Sequence, residues 1–183
     1  MTAFRVLART DLPTLQRWLN TPHVYEWWGR HAGPGSLGGA GPDAATEAEI
    51  EGKYGAAIDH DPSTHRFIIA CDGAPIGLIQ WYHLRDSQDY ARAIGEDAAT
   101  SAGMDLFIGE PGAINRGLGS RAIDEFVTSI VFRQEGVIRI VTGPAKTNAR
   151  SIRAFEKAGF TLVRFSSIAG EPIPEAVMVR PKI

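Results

Sequence analysis

Apolar positions along this chain switch between a period of two and a period near 3.6, and the switches divide it into strands and helices. Residues 4–8 are strand-like. Thr10 and Asp11 then offer N-caps to a short helix with Leu12, Leu15, Trp18 and Leu19 on one face. Thr46-x-x-Glu49 is a capping box and predicts a second helix to about Ile58. Residues 65–71 and 75–82, joined by Asp72-Gly73, predict a β-hairpin. Residues 104–108 predict a short strand that ends at Gly109. The helix beyond it carries Leu118, Ala122, Ile123, Phe126, Val127, Ile130 and Val131 at helical spacing. Residues 137–142 are β-branched, and 148–158 are helical up to Gly159, with Phe160 placed for a C-cap contact. Residues 162–167 and 176–179 predict closing strands. Dense Gly and Pro over 29–45, and polar residues over 84–102, predict two loops. The pattern reads as one mixed α/β domain over residues 1–183, with a strand–Gly turn–helix unit at its centre.

Composition narrows the partners. Of 183 residues, 44% are hydrophobic and 22% charged, as in ordinary globular domains, and no apolar run approaches the ~20 residues of a membrane span. The start of the chain lacks a signal-peptide core. A net charge of −2 argues against nucleic acid as the main partner. Cys71, the single cysteine, sits in an apolar run and reads as a small core residue. The five histidines show no metal-ligand spacing, so no metal is expected. These features predict a disulfide-free, cytoplasmic protein.

Candidate chemistry begins at 114–120 (INRGLGS). A glycine-rich turn opening a helix presents unpaired backbone N–H groups to an anion, and Gly117 and Gly119 let a bulky phosphate approach. A plain tight turn is the alternative. The P-loop lysine is absent, and so is the third glycine of a dinucleotide fingerprint.

Together with the Asn148-to-Phe160 segment (NARSIRAFEKAGF), this turn resembles the GNAT superfamily of acetyl-CoA-dependent N-acetyltransferases. The resemblance covers nearly the whole chain and implies the GNAT-like α/β fold, an α+β mixed sheet flanked by helices. A narrower likeness is carried by 18–29 (WLNTPHVYEWWG) and by Asp105, twelve residues before Gly117. Both resemble aminoglycoside 6′-N-acetyltransferases. A sister branch of similar sequence acylates hydroxylamines in hydroxamate siderophore synthesis.

The resemblance implies acetyl-CoA as cofactor. The N–H groups of Arg116, Gly117, Leu118, Gly119 and Ser120 would bind its pyrophosphate. The backbone of Phe107 and Ile108 would pair with the pantetheine arm, and Asn148 would hold that arm from the other side. The chain departs from the pattern at Ile114, where Gln or Arg is frequent, and at Phe155, where a tyrosine usually gives the thiolate its proton. It departs again at Gly143, where the aminoglycoside branch often has aspartate.

The implied acceptor is a small polycationic amine, chiefly an aminoglycoside at its 6′-nitrogen. N-hydroxylated lysine or ornithine is the second reading, and a non-catalytic acyl-CoA-binding module is the third. Relatives make either a monomer or a homodimer plausible. Asp105 is the expected proton acceptor, and strand alternation sets it with Phe107, opposite Met104, Leu106 and Ile108. An ordinary aspartate lies about 5 units below an alkyl amine, a gap of roughly 7 kcal/mol, so burial must raise it or water must relay the proton. His83 is the rival base. In the acidic stretch 85–110, Glu96 and Asp97 are expected to contact a cationic acceptor, unless the stretch is simply solvated. Glu26, Trp27 and Trp28 are expected to wall the acceptor site, with one tryptophan in the core.

Overall fold

The computed structural model describes residues 1–29, 45–61 and 63–183. The loop expected at 29–45 therefore falls almost wholly outside the described residues.

Strands β1 (Thr2–Val6), β2 (Thr64–Cys71), β3 (Ala74–His83), β4 (Ser101–Ile108), β5 (Arg139–Thr142), β6 (Thr161–Ser166) and β7 (Glu175–Pro181) form one sheet, in the order β1-β2-β3-β4-β5-β7-β6. Neighbours are antiparallel except β4 and β5, which run parallel. The helices are α1 (Leu12–Leu19), α2 (Pro22–Val24), α3 (Glu47–Ile50), α4 (Ala56–His60), α5 (Gln88–Ile94), α6 (Leu118–Ser129) and α7 (Ala149–Lys157). A π-helical stretch, Tyr25–Gly29, continues α2, and another, Glu51–Gly55, joins α3 to α4. The expected capping box is formed: the Thr46 hydroxyl accepts from the Glu49 N–H at 3.3 Å, and Glu49 accepts from the Thr46 N–H at 2.8 Å.

Helices α6 and α7 cover one face of the sheet. Phe126 is fully buried there, with Phe4 and Phe67 edge-on at 5.0 and 5.2 Å. Leu15, Trp18, Leu19, Ile50 and Tyr54 cover the other face, packed on Ile68, Leu78 and Phe107. The alternation read along β4 is therefore realised, with Met104 facing α6 and Phe107 facing α1.

Two expectations are corrected. The segment 84–102 is not simply a loop: it contains α5, whose Ala91 and Ile94 bury against Val141, Val177 and Val179. Only two apolar side chains in a short helix reach the core, too few to show a period. The strand expected from Met104 begins at Ser101, because Ser101, Ala102 and Gly103 pair with β5 despite poor strand propensity. Among the described residues, no helix is long and apolar enough to cross a membrane.

Phe126→Ala should cost about 3–5 kcal/mol by removing the ring on which β1, β2 and α6 converge, measured as a shift in urea unfolding.

Candidate active site

The site arises where the two parallel strands part. Strand β4 pairs with β5 only from Ser101↔Arg139 to Gly103↔Val141, and β5 ends at Thr142 before Gly143-Pro144. Beyond Gly103, β4 has β3 on one side and a gap on the other. The Phe107 carbonyl is turned toward Gly77 of β3, so alternation turns the backbone of Leu106 and Ile108 toward the gap. The Nε2–H of His23 donates to the Ile108 carbonyl at 2.9 Å.

A groove of about 460 Å³ follows the gap toward the start of α6. Asn115 (φ 59°) and Gly117 (φ 74°) are both left-handed and swing the chain into that helix. Among the described residues no side chain caps α6, so its first N–H groups are open to the groove, which Asn115, Gly117, Gly119 and Ser120 line. The opposite wall is α7, which presents Arg150, Arg153 and Lys157. An open helix N-terminus facing three cations suits a polyphosphate. Asn148 caps α7, its Oδ1 accepting from the Ser151 N–H at 3.1 Å, and both residues line the groove.

A second cleft, of about 700 Å³, meets the groove along Trp27, Trp28, Leu106, Asn148 and Ser151. Asp105 lies half-buried on its floor, accepting from Gln80 Nε2 at 3.1 Å. Burial pushes its carboxyl above the usual aspartate value, and the Gln80 hydrogen bond opposes the shift. Above it, Trp28 Nε1 donates to the Tyr54 hydroxyl at 3.1 Å, while the Trp28 ring meets Phe107 edge-on at 4.8 Å. Glu175 enters from β7, and burial pushes it up to about 7, aided by the charge of Asp105 and opposed by the Tyr90 hydrogen bond. The facing wall carries Lys53, which burial and Arg66 lower to about 8.

The sequence over residues 8–167 matches the acetyltransferase (GNAT) domain family. The chain belongs to that family. It is 31% identical over 157 residues to the aminoglycoside N(6')-acetyltransferase type 1 of Klebsiella pneumoniae, covering 85% of this chain and 72% of that protein. The same protein of Serratia marcescens matches equally. Among solved structures, aminoglycoside acetyltransferase AAC(6')-Ib in complex with coenzyme A superposes with a TM-score of 0.75 at 26% identity, over 99% of this chain and 95% of that one. Its complex with ribostamycin and coenzyme A gives 0.76 at 26% identity, over 98% and 93%. This chain is an acetyl-CoA-dependent N-acetyltransferase, and the groove has the shape and charge for the pantetheine arm and phosphates of that substrate.

The fold brings some of the expected residues of this acetyltransferase to the site and not others. Asp105, Trp27, Trp28, Asn148, Ile108, Gly117, Gly119 and Ser120 line one or both cavities. Phe107 also lines the groove, but its carbonyl faces β3, so Leu106 takes the outward backbone position assigned to it. The Leu118 side chain packs against the core and that of the exposed Arg116 reaches the Gly112 carbonyl at 3.5 Å; the expectation for these two concerns their backbone N–H groups, at and just before the start of α6. Glu26 is exposed and lines neither cavity.

Glu96 and Asp97 are corrections. The Glu96 side chain is only 4% exposed, because Arg139 (2.8 Å) and Arg164 (3.3 Å) draw it under the sheet. Asp97 closes its own turn, accepting from Thr100 Oγ1 at 2.6 Å and from the Ala99 N–H at 3.0 Å. His83, the rival base, rests edge-on to Trp81 at 5.1 Å and lines neither cavity. Phe155 packs against Phe160 at 5.1 Å and supplies no proton. Sequence reasoning missed Arg150, Arg153 and Lys157, although their helical spacing set three cations on one face of α7.

The double substitution Arg150→Gln/Arg153→Gln should weaken coenzyme A binding about tenfold by calorimetry, or about 1.4 kcal/mol. The variant's affinity should also depend less on salt than that of the unsubstituted protein.

Proposed function

We propose that this chain acetylates the 6′-amine of an aminoglycoside. The carrying observation is Asp105, half-buried in a cleft large enough for a sugar and next in sequence to Leu106, where that cleft meets the cofactor groove. The relatives named for that reaction support the same reading. The acceptor nitrogen bonds the acetyl carbon, the carbon–sulfur bond breaks, and coenzyme A leaves as thiolate. The nitrogen's proton passes to Asp105 directly or through a water. The raised carboxyl of Asp105 narrows the gap to the amine. Its ionised form holds the ammonium, which loses a first proton to water to become the attacking free amine; the second proton is the one that passes to Asp105 after the nitrogen bonds the acetyl carbon.

Kanamycin with acetyl-CoA should give saturable thiol release and a singly acetylated product by mass. Absence of turnover would end this reading. Asp105→Asn should lower kcat by about 10²–10⁴ while the KM for acetyl-CoA holds. In the unsubstituted enzyme kcat/KM should rise with pH, since both the carboxylate and the free amine are the deprotonated forms.

A second reading has one observation in its favour. The cleft wall opposite Glu175 carries two cations, Lys53 and Arg66. The buried Arg66 Nε has no hydrogen-bond partner among the described residues, and its guanidinium reaches Asp61 only at 3.4 Å. These two cations suit the α-carboxylate of an N-hydroxylated lysine or ornithine. Lys53→Met separates the two: it should lower the KM for kanamycin if the aminoglycoside is the acceptor. It should raise the KM for N6-hydroxylysine about tenfold if the amino acid is.

A further inference from the structure

The carboxylate of Glu175 belongs to no element named so far in the acetyl transfer, yet the fold holds it in the acceptor cleft with unusual care. Its backbone bridges Ala145, and the flanking bonds Ala176 N–H to Pro144 O and Lys146 N–H to Pro174 O, each 2.8 Å, stitch the start of β7 to the loop after β5. The Tyr90 hydroxyl donates to Glu175 Oε2 at 2.7 Å, fixing the side chain's direction. The other oxygen makes no hydrogen bond among the described residues. Gly143 is what admits this arrangement. A Cβ there would collide with Glu175 Oε2 and would lie 2.8 Å from the Tyr90 hydroxyl. The missing side chain at 143 is thus replaced in space by a carboxylate from another strand.

Asp105 and Glu175 share one cleft, and the charge of Asp105 adds to the cost of ionising the buried Glu175. A ligand that lets both ionise must bring positive charge to both. Asp61 and Glu171 also line the cleft, but Asp61 is paired with Arg66 at 3.4 Å. With Asp105 facing the reacting nitrogen, Glu175 is the carboxylate whose direction Tyr90 fixes for a second one.

We propose that Glu175 is a specificity-determining contact, receiving an ammonium group of the acceptor other than the one acetylated. This rests on the aminoglycoside reading above. Oriented by Tyr90 and admitted by Gly143, the carboxylate selects acceptors with two or more amines over those with one.

The test compares kanamycin with methyl 6-amino-6-deoxyglucoside, which carries a single amine. Glu175→Gln should raise the KM for kanamycin about tenfold, with a much smaller change in kcat, and should cut the kcat/KM preference for kanamycin by a similar factor. A swap, Gly143→Asp with Glu175→Ala, should restore most of that preference by returning a carboxylate to the same space. Glu175→Ala alone should not. An unchanged preference in Glu175→Gln, or an equal loss with both acceptors, overturns the assignment while leaving aminoglycoside acetylation standing. If the unsubstituted enzyme turns over neither amine, kanamycin binding by calorimetry decides: no binding overturns both proposals. Binding that Glu175→Gln weakens about tenfold upholds the contact without the reaction, and binding it leaves unchanged overturns the contact.

Discussion

Beyond Gly103, strand β4 keeps its β3 neighbour but loses the one on its other side, and both cavities of this protein follow from that loss. A buried strand edge without a partner leaves amide and carbonyl groups unpaired, a costly arrangement unless something pairs with them. Here the edge opens into a groove, where a pantetheine arm can act as the missing strand. The parting is local. Three register pairs hold β4 to β5, and then Thr142 gives way to Gly143-Pro144, which ends the ladder. The cores on either face anchor the two diverging arms: Met104 packs beneath α6, and Val141 beneath α5.

Charge then divides the labour between the two cavities. The groove along β4 is lined by cations and an open helix N-terminus, which suit phosphates. The second cleft carries both signs, Asp61, Asp105, Glu171 and Glu175 against Lys53 and Arg66, with the tryptophans at the junction. Burial is the main cause of two shifts there: it pushes Glu175 up to about 7, with the charge of Asp105 adding to it, and Lys53 down to about 8, with Arg66 adding to it. Both values lie close to neutral pH, so the charge of the cleft answers readily to a charged ligand.

Much of the fold was legible along the chain. Long apolar stripes, the capping box at Thr46, and the Asp72-Gly73 turn each act over a few residues, so their physics is local. The mixed α/β order, the turn that opens α6 and the placement of Asp105 on β4 came through for the same reason. The helix α5 did not, because its stability comes from two side chains meeting β5 and β7 rather than from its own pattern. Glu96 misled for a related reason: an acidic residue near the site in sequence was taken under the sheet by Arg139 and Arg164, the second of them almost seventy residues away, as the hydrogen bonds of Arg164 to Ile94 and Gly95 also show.

By itself, the sequence determined most of the elements, the family likeness and the glycine turn that opens α6, since those depend on near-neighbour spacing and backbone conformation. Only the tertiary structure decided which charges share the acceptor cleft. Asp105, Glu175, Lys53 and Arg66 come from four separate elements, and no periodicity links them. Their meeting depends on where β4 and β5 part and on a glycine at 143 that leaves room for a carboxylate from β7.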